Sequence, residues 1–250
     1  MEDWLFQYAQ FAWFKDEFTG AKAASVFLNV FGEEPDNTQT NRSLAPSAPF
    51  NSQASTLMDE RLEQVTISPG RIDIILAHAD RQQSGPWGWK LAEGVRHAER
   101  LMEKVSASTA RMGELNRVAV IITLIRNLPQ ASDATKYLVQ RSGLDLDAKA
   151  IDVQLQVNMQ RPGPAGSRMN RLMKFHTASL RDITLGVNAG QPTSPQFGPE
   201  RHVAALQIDV NLAIDGKTYL PTITPSLVIE LFDEARKLAL SGSLSGLKDG

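Results

Sequence analysis

Residues 150–160 alternate between two kinds of side chain. Ile151, Val153, Leu155, Val157 and Met159 hold one parity; Asp152, Gln154, Gln156, Asn158 and Gln160 hold the other. A period of two predicts a β-strand with one buried and one wet face. Residues 203–214 repeat the pattern, with Leu206, Ile208, Val210, Leu212 and Ile214 inward and Gln207, Asp209 and Asn211 outward. Arg117 to Ile125 is apolar on both parities, which predicts a central strand covered on both sides. Residues 60–67 and 71–77 flank Ser68-Pro69-Gly70 and predict a hairpin. Further strands are expected at Ser25–Phe31 and within 169–177 and 179–187.

Other stretches follow the helical period. Leu91, Val95, Ala98, Met102 and Val105 are spaced by three and four, predicting a helix over Trp89–Val105 whose wet face carries Lys90, Glu93, Arg96, Glu99, Arg100 and Glu103. Asp133 to Arg141 reads as a short helix stopped by Gly143. Thr224 caps a last helix with Pro225 in its first turn and Leu231, Ala235 and Leu238 on its buried stripe. Residues 33–59, rich in Pro, Asn, Ser, Thr and Gln, are expected to be a long loop, and 241–250 a flexible tail. The fold class is therefore α+β: a largely antiparallel, or mixed, β-sheet with two main amphipathic helices packed on one face, in one globular unit over 1–240. A faint echo links the hairpin and helix at 60–105 to the strands and helix at 169–240, a diverged duplication or a coincidence.

Seven aromatics crowd the first 18 positions: Trp4, Phe6, Tyr8, Phe11, Trp13, Phe14 and Phe18. Two roles compete for them. They tie a terminal element into the core, or Trp4, Phe6, Tyr8 and Phe11 form an anchor on another chain.

Composition removes several classes of function. The net charge is −2, so the chain is not a generally basic nucleic-acid binder. It has no cysteine, which excludes disulfides, thiolate metal sites and thiol nucleophiles. No apolar run is long enough to cross a membrane as a helix, and Met1-Glu2-Asp3 lacks the positive charge of a signal peptide, so a cytoplasmic location is expected. Phosphate-loop, dinucleotide-loop, zinc-protease and EF-hand patterns are absent, and Gly242-Ser243-Leu244-Ser245-Gly246 puts leucine where a nucleophile elbow needs serine. No motif points to a family, a catalytic residue, a cofactor or a dedicated metal site.

One enzymatic pattern remains. Ile72-Asp73-Ile74, Ile151-Asp152-Val153 and Ile208-Asp209-Val210 each turn a carboxylate away from two aliphatics. On adjacent strands these carboxylates would hold Mg²⁺ for phosphodiester cleavage. Asp215-Gly216-Lys217 resembles the accompanying element of such nucleases, and equally a turn.

Two surfaces are candidates for binding. The polar parity of Asp152, Gln154, Gln156 and Asn158, with Asp209 and Asn211, is mostly neutral amide, able both to donate and to accept hydrogen bonds. Between Val153 and Arg181 there is no acid, while Arg161, Arg168, Arg171, Lys174 and Arg181 contribute +5 around a Pro/Gly loop. That hairpin suits phosphates, or the acidic N-terminal region, where residues 1–40 carry a net −5. The expectation is a non-catalytic binding or assembly subunit of a cytoplasmic, prokaryotic multiprotein system, acting on a protein partner or on itself. A nucleic-acid-binding protein using residues 161–181 and a metal-dependent nuclease using the strand carboxylates are the alternatives.

Overall fold

A computed structural model describes residues 4–18, 20–41, 50–79, 87–113, 115–145, 150, 153–163, 167–184, 187–188, 191–192, 196–213 and 224–248. The strands are β1 (Leu5–Phe14), β2 (Asn37–Thr40), β3 (Ser52–Met58), β4 (Arg61–Ser68), β5 (Arg71–His78), β6 (Trp89–Lys90), β7 (Arg117–Leu128), β8 (Gln154–Pro162), β9 (Arg168–Thr184), β10 (Val187–Asn188), β11 (Gln191–Pro192) and β12 (Gln196–Ala213). The helices are α1 (Ala23–Phe31), α2 (Leu91–Thr109), α3 (Ala131–Ser142) and α4 (Pro225–Ser241), followed by a 3₁₀ turn at Leu244–Leu247.

Nine strands form one sheet in the order β2-β3-β4-β5-β1-β7-β12-β9-β8, with β6 beside β1, and β10 pairs with β11 separately. Every pairing is antiparallel, so the fold is α+β with no parallel component among the described strands. A single hydrophobic cluster joins all four helices to one parity of the strands, including Phe6, Phe11 and Trp13 of β1 and Val118, Val120, Ile122 and Leu124 of β7. The helices therefore share one face of the sheet.

The chain runs through this pattern twice. Strand β1, short helix α1, meander β3-β4-β5 and long helix α2 are followed by strand β7, short helix α3, meander β8-β9-β12 and long helix α4. With β1 antiparallel to β7 at the centre, the two halves are related by an approximate two-fold axis through the sheet. Ile72-Asp73-Ile74 on β5 and Ile208-Asp209-Val210 on β12, the strands flanking the central pair, both turn their aspartate away from the helices.

Four local expectations change. Ser25–Phe31 lies in helix α1, because Ala23, Val26, Phe27, Val30 and Phe31 recur at helical spacing and Gly32 (φ 83°) ends the turn in the left-handed region. The 33–59 segment contributes β2 and β3, since edge strands form through backbone pairing with a neighbour and need few apolar side chains. Residues 169–177 and 179–187 belong largely to one strand, β9, which pairs along its length with the long β12. In the terminal segment the 3₁₀ turn buries Leu247 to 1% exposure. Thr224, by contrast, caps α4 as expected, its hydroxyl accepting from the Leu227 amide.

The aromatic N-terminus is core. Trp4, Phe6 and Phe11 are 3%, 0% and 0% exposed, which rules them out as anchors on another chain. Helix α2 crosses β1 so closely that a Cβ on Gly94 would collide with the Phe6 ring. Trp4 packs edge-on to Tyr137 of α3 and donates its indole N–H to the Gly242 carbonyl at the end of α4 (3.3 Å).

Candidate functional site

Alternation gives each strand a second parity, and that parity has no helix over it among the described residues. Register lines it up in rows across the sheet. One row runs Asp73, Ala12, Ala119, Asn211, Asn170, Gln160. The next runs Ile75, Gln10, Ile121, Asp209, Leu172, Asn158, and a third Ala77, Tyr8, Thr123, Gln207, Lys174, Gln156. The wet parities of residues 150–160 and 203–214 thus share one face, with β9 between them.

The amides on this face bond to one another. Gln160 donates Nε2–H to Asn170 Oδ1 (2.9 Å), Asn170 donates Nδ2–H to Asn211 Oδ1 (3.0 Å), and Asn211 donates to Asp209 Oδ1 (2.8 Å). Asn158 adds a longer contact to Asn170 Oδ1 at 3.4 Å. On the other side of the centre, Gln10 and Arg71 both donate to Asp73 Oδ1, at 2.7 and 2.8 Å. Each link runs one way, which leaves outer amides such as Gln154, Gln156 and Asn158 exposed with capacity to spare. Midface, Ile121, Thr123 and Ile125 are 9% or less exposed, flanked by Gln10, Tyr8, Asp209 and Gln207.

The basic hairpin is not one surface. Strand parity turns Arg161 and Arg171 to the helix side, where both hold Glu234 of α4: Arg171 Nη1 at 3.2 Å from Oε1 and Arg161 Nη2 at 2.8 Å from Oε2. Arg171 Nη2 also donates to the Leu247 carbonyl at 2.8 Å. Arg171 and Glu234 are 1% and 3% exposed, so the triad is a buried structural knot whose charges are spent inside the protein. Lys174 lies on the uncovered face and Arg168 is exposed at the start of β9, while the Arg181 side chain lies outside the described residues.

The carboxylates do not gather. Asp73 and Asp209 share the uncovered face but sit three strand positions apart, about 14 Å or more. Paired catalytic ions require ligands around a spacing of about 4 Å. Asp152 and Asp215-Gly216-Lys217 lie outside the described residues, and no three His, Asp or Glu side chains group as a metal site among those described.

Beside this field lies a cleft of about 300 Å³ between β1, β7, β12 and β9, whose polar lining includes Tyr8, Thr123, Lys174, His176 and Gln207. Gln207 donates to the Tyr8 hydroxyl at 3.3 Å, bridging over Thr123. Burial, reinforced by the Lys174 ammonium, holds the His176 imidazole below the usual histidine range, so it is neutral at pH 7. Sequence reasoning passed over Thr123. The signal for Thr123 was one hydroxyl inside an otherwise aliphatic run, Val118 to Ile125.

Comparison of the chain with protein-family models, with curated proteins and with solved structures finds no match.

Proposed function

We propose that this chain is a non-catalytic binding subunit that seats a partner protein on the uncovered face of its sheet, in a cytoplasmic assembly. The observation behind the reading is the segregation of the fold: all four helices lie against one parity of the strands, and the other parity carries a broad field of amides and hydroxyls. Side chains that both donate and accept match another polar protein surface through hydrogen bonds, which confer register and specificity more than hydrophobic adhesion. The nucleic-acid reading loses support, because Arg161 and Arg171 are engaged by Glu234. The nuclease reading loses support from the separation of Asp73 and Asp209. No helix among the described residues is long and apolar enough to cross a membrane.

The test is site-specific photocrosslinking in the native host. A photoreactive residue at Gln156 or Asn158 is expected to give adducts of defined mass, and the same residue at exposed Glu230 on α4 none. Gln207→Arg should suppress the adducts from the sheet. An adduct at twice the chain's mass would identify the partner as a second copy. Equal labelling from both faces, or none from the sheet, would refute the reading.

A further inference from the structure

The cleft on the uncovered face is built differently from the amide field beside it. Two of its polar atoms, Thr123 Oγ1 and His176 Nδ1, are sealed from solvent and have no hydrogen-bond partner among the described residues. Orphaned buried groups of this kind are costly, and a ligand that satisfies them is one reason for a fold to keep them. Among the described residues Lys174 makes no ion pair or hydrogen bond, and none of those lining the cleft carries a carboxylate. The nearby acid, Asp209, stands one row away opposite Leu172 and already accepts from Asn211.

The donors share a direction of need. Tyr8 accepts from Gln207, which leaves its own proton to donate into the cleft. Thr123 has a rotatable hydroxyl, Lys174 an ammonium, and neutral His176 one donor and one acceptor nitrogen. One cation without a compensating acid calls for a single negative charge. A phosphate dianion would call for a second cation or a guanidinium fork, and among the described residues none lines this space. Ile125, Val203 and Ala205 supply an apolar floor, and the volume is at the small end of ligand sites.

We propose that this cleft is a binding site for a small organic monocarboxylate with a short apolar body, its carboxylate held by Lys174, Tyr8 and Thr123 and its hydrocarbon part lying on Ile125, Val203 and Ala205. The proposal rests on the cleft's own unpaired groups and stands whether or not a protein docks on the amide field.

The probe is benzoate, with benzamide as its uncharged counterpart, titrated into the full chain and followed by backbone amide NMR. Benzoate should give saturable shifts centred on β7, β9 and β12, and benzamide none. Lys174→Gln should weaken benzoate at least tenfold while leaving the rest of the spectrum in place. Thr123→Phe, which fills the cleft, should abolish the saturable shifts and provides an independent check. The proposal is overturned if benzoate fails to saturate at tens of millimolar, if benzamide binds equally well, or if both variants bind benzoate like the parent chain.

Discussion

The two halves of the chain fold alike and are filled unlike. Aligned on Ile72-Asp73-Ile74 and Ile208-Asp209-Val210, Phe14 of the first half stands where Thr123 stands in the second. Phe14 lies between Arg71 and Arg117, each guanidinium 5.1 Å from the ring centroid, and closes its position. Thr123 lies between Gln207 and Tyr8 and leaves the cleft open. On the helix side the contrast reverses in kind. Val65, opposite Ile74, is apolar; at the matching place Arg171, opposite Val210, forms a buried ion pair with Glu234 of α4. One backbone plan thus tolerates an inert and a polar filling at the same positions, and the departures from inert filling in the second half mark where the molecule has acquired a site and a polar core.

The contrast is broken most severely inside that core. Arg171→Val or Glu234→Ala alone should cost about 3–5 kcal/mol in urea unfolding, because either leaves a buried charge without its partner. The double variant, which removes both buried charges, should cost less than either single change, since Arg161 is partly exposed and can turn to water. A double variant as unstable as the sum of the singles would show that the ion pair is not the coupled unit described above.

Exchanging the fillers on the uncovered face should act next. Phe14→Thr should cost about 2 kcal/mol, less than for a fully buried ring because Phe14 is half-buried, and free Arg71 and Arg117 from the clamp. The reverse change, Thr123→Phe, should alter stability by less than about 1 kcal/mol while removing the cleft. Thermal melts of both variants measure the asymmetry directly.

The smallest effect concerns Glu63, a buried acid of the first half, which the same alignment places where Met169 stands in the second. Burial raises its carboxyl above the ordinary value of 4.5, and Arg61, 3.2 Å away, only partly offsets this. The folded state therefore holds the proton more tightly than the unfolded chain. Its contribution is fully present below pH 4.5 and is lost as pH rises through the folded value. Glu63→Gln should accordingly be more stable than the parent at pH 7, with the gain vanishing below pH 4.5. A gain that persists in acid would assign it to something other than titration.

Much of this was legible in the chain. The alternation of 150–160 and 203–214 placed Gln154, Gln156, Asn158, Asp209 and Asn211 on one parity, and the register of β9 puts the described residues among them on a common face. The same parity rule separates Arg171 from Lys174, which grouping by charge alone concealed. Helix α1 carried its period in Val26, Phe27, Val30 and Phe31, but its β-branched and aromatic content favours a strand locally, and packing against β3 and β4 decides otherwise. Whether Asp73 and Asp209 meet depended on strand order, and strand order is a property of distant pairings that no local pattern records.

Strand β1 lies in the middle of the sheet, between partners that come later in the chain. Its partners are β5 and β7, and β7 extends to residue 128, so the sheet's central seam closes only once that later strand is in place. Until then Phe6, Phe11 and Trp13 have no second neighbour to cover them. Long-range closure of this sort slows folding and prolongs exposure of apolar surface. With the most aromatic segment at the axis, its side chains stay uncovered until distant parts of the chain have paired.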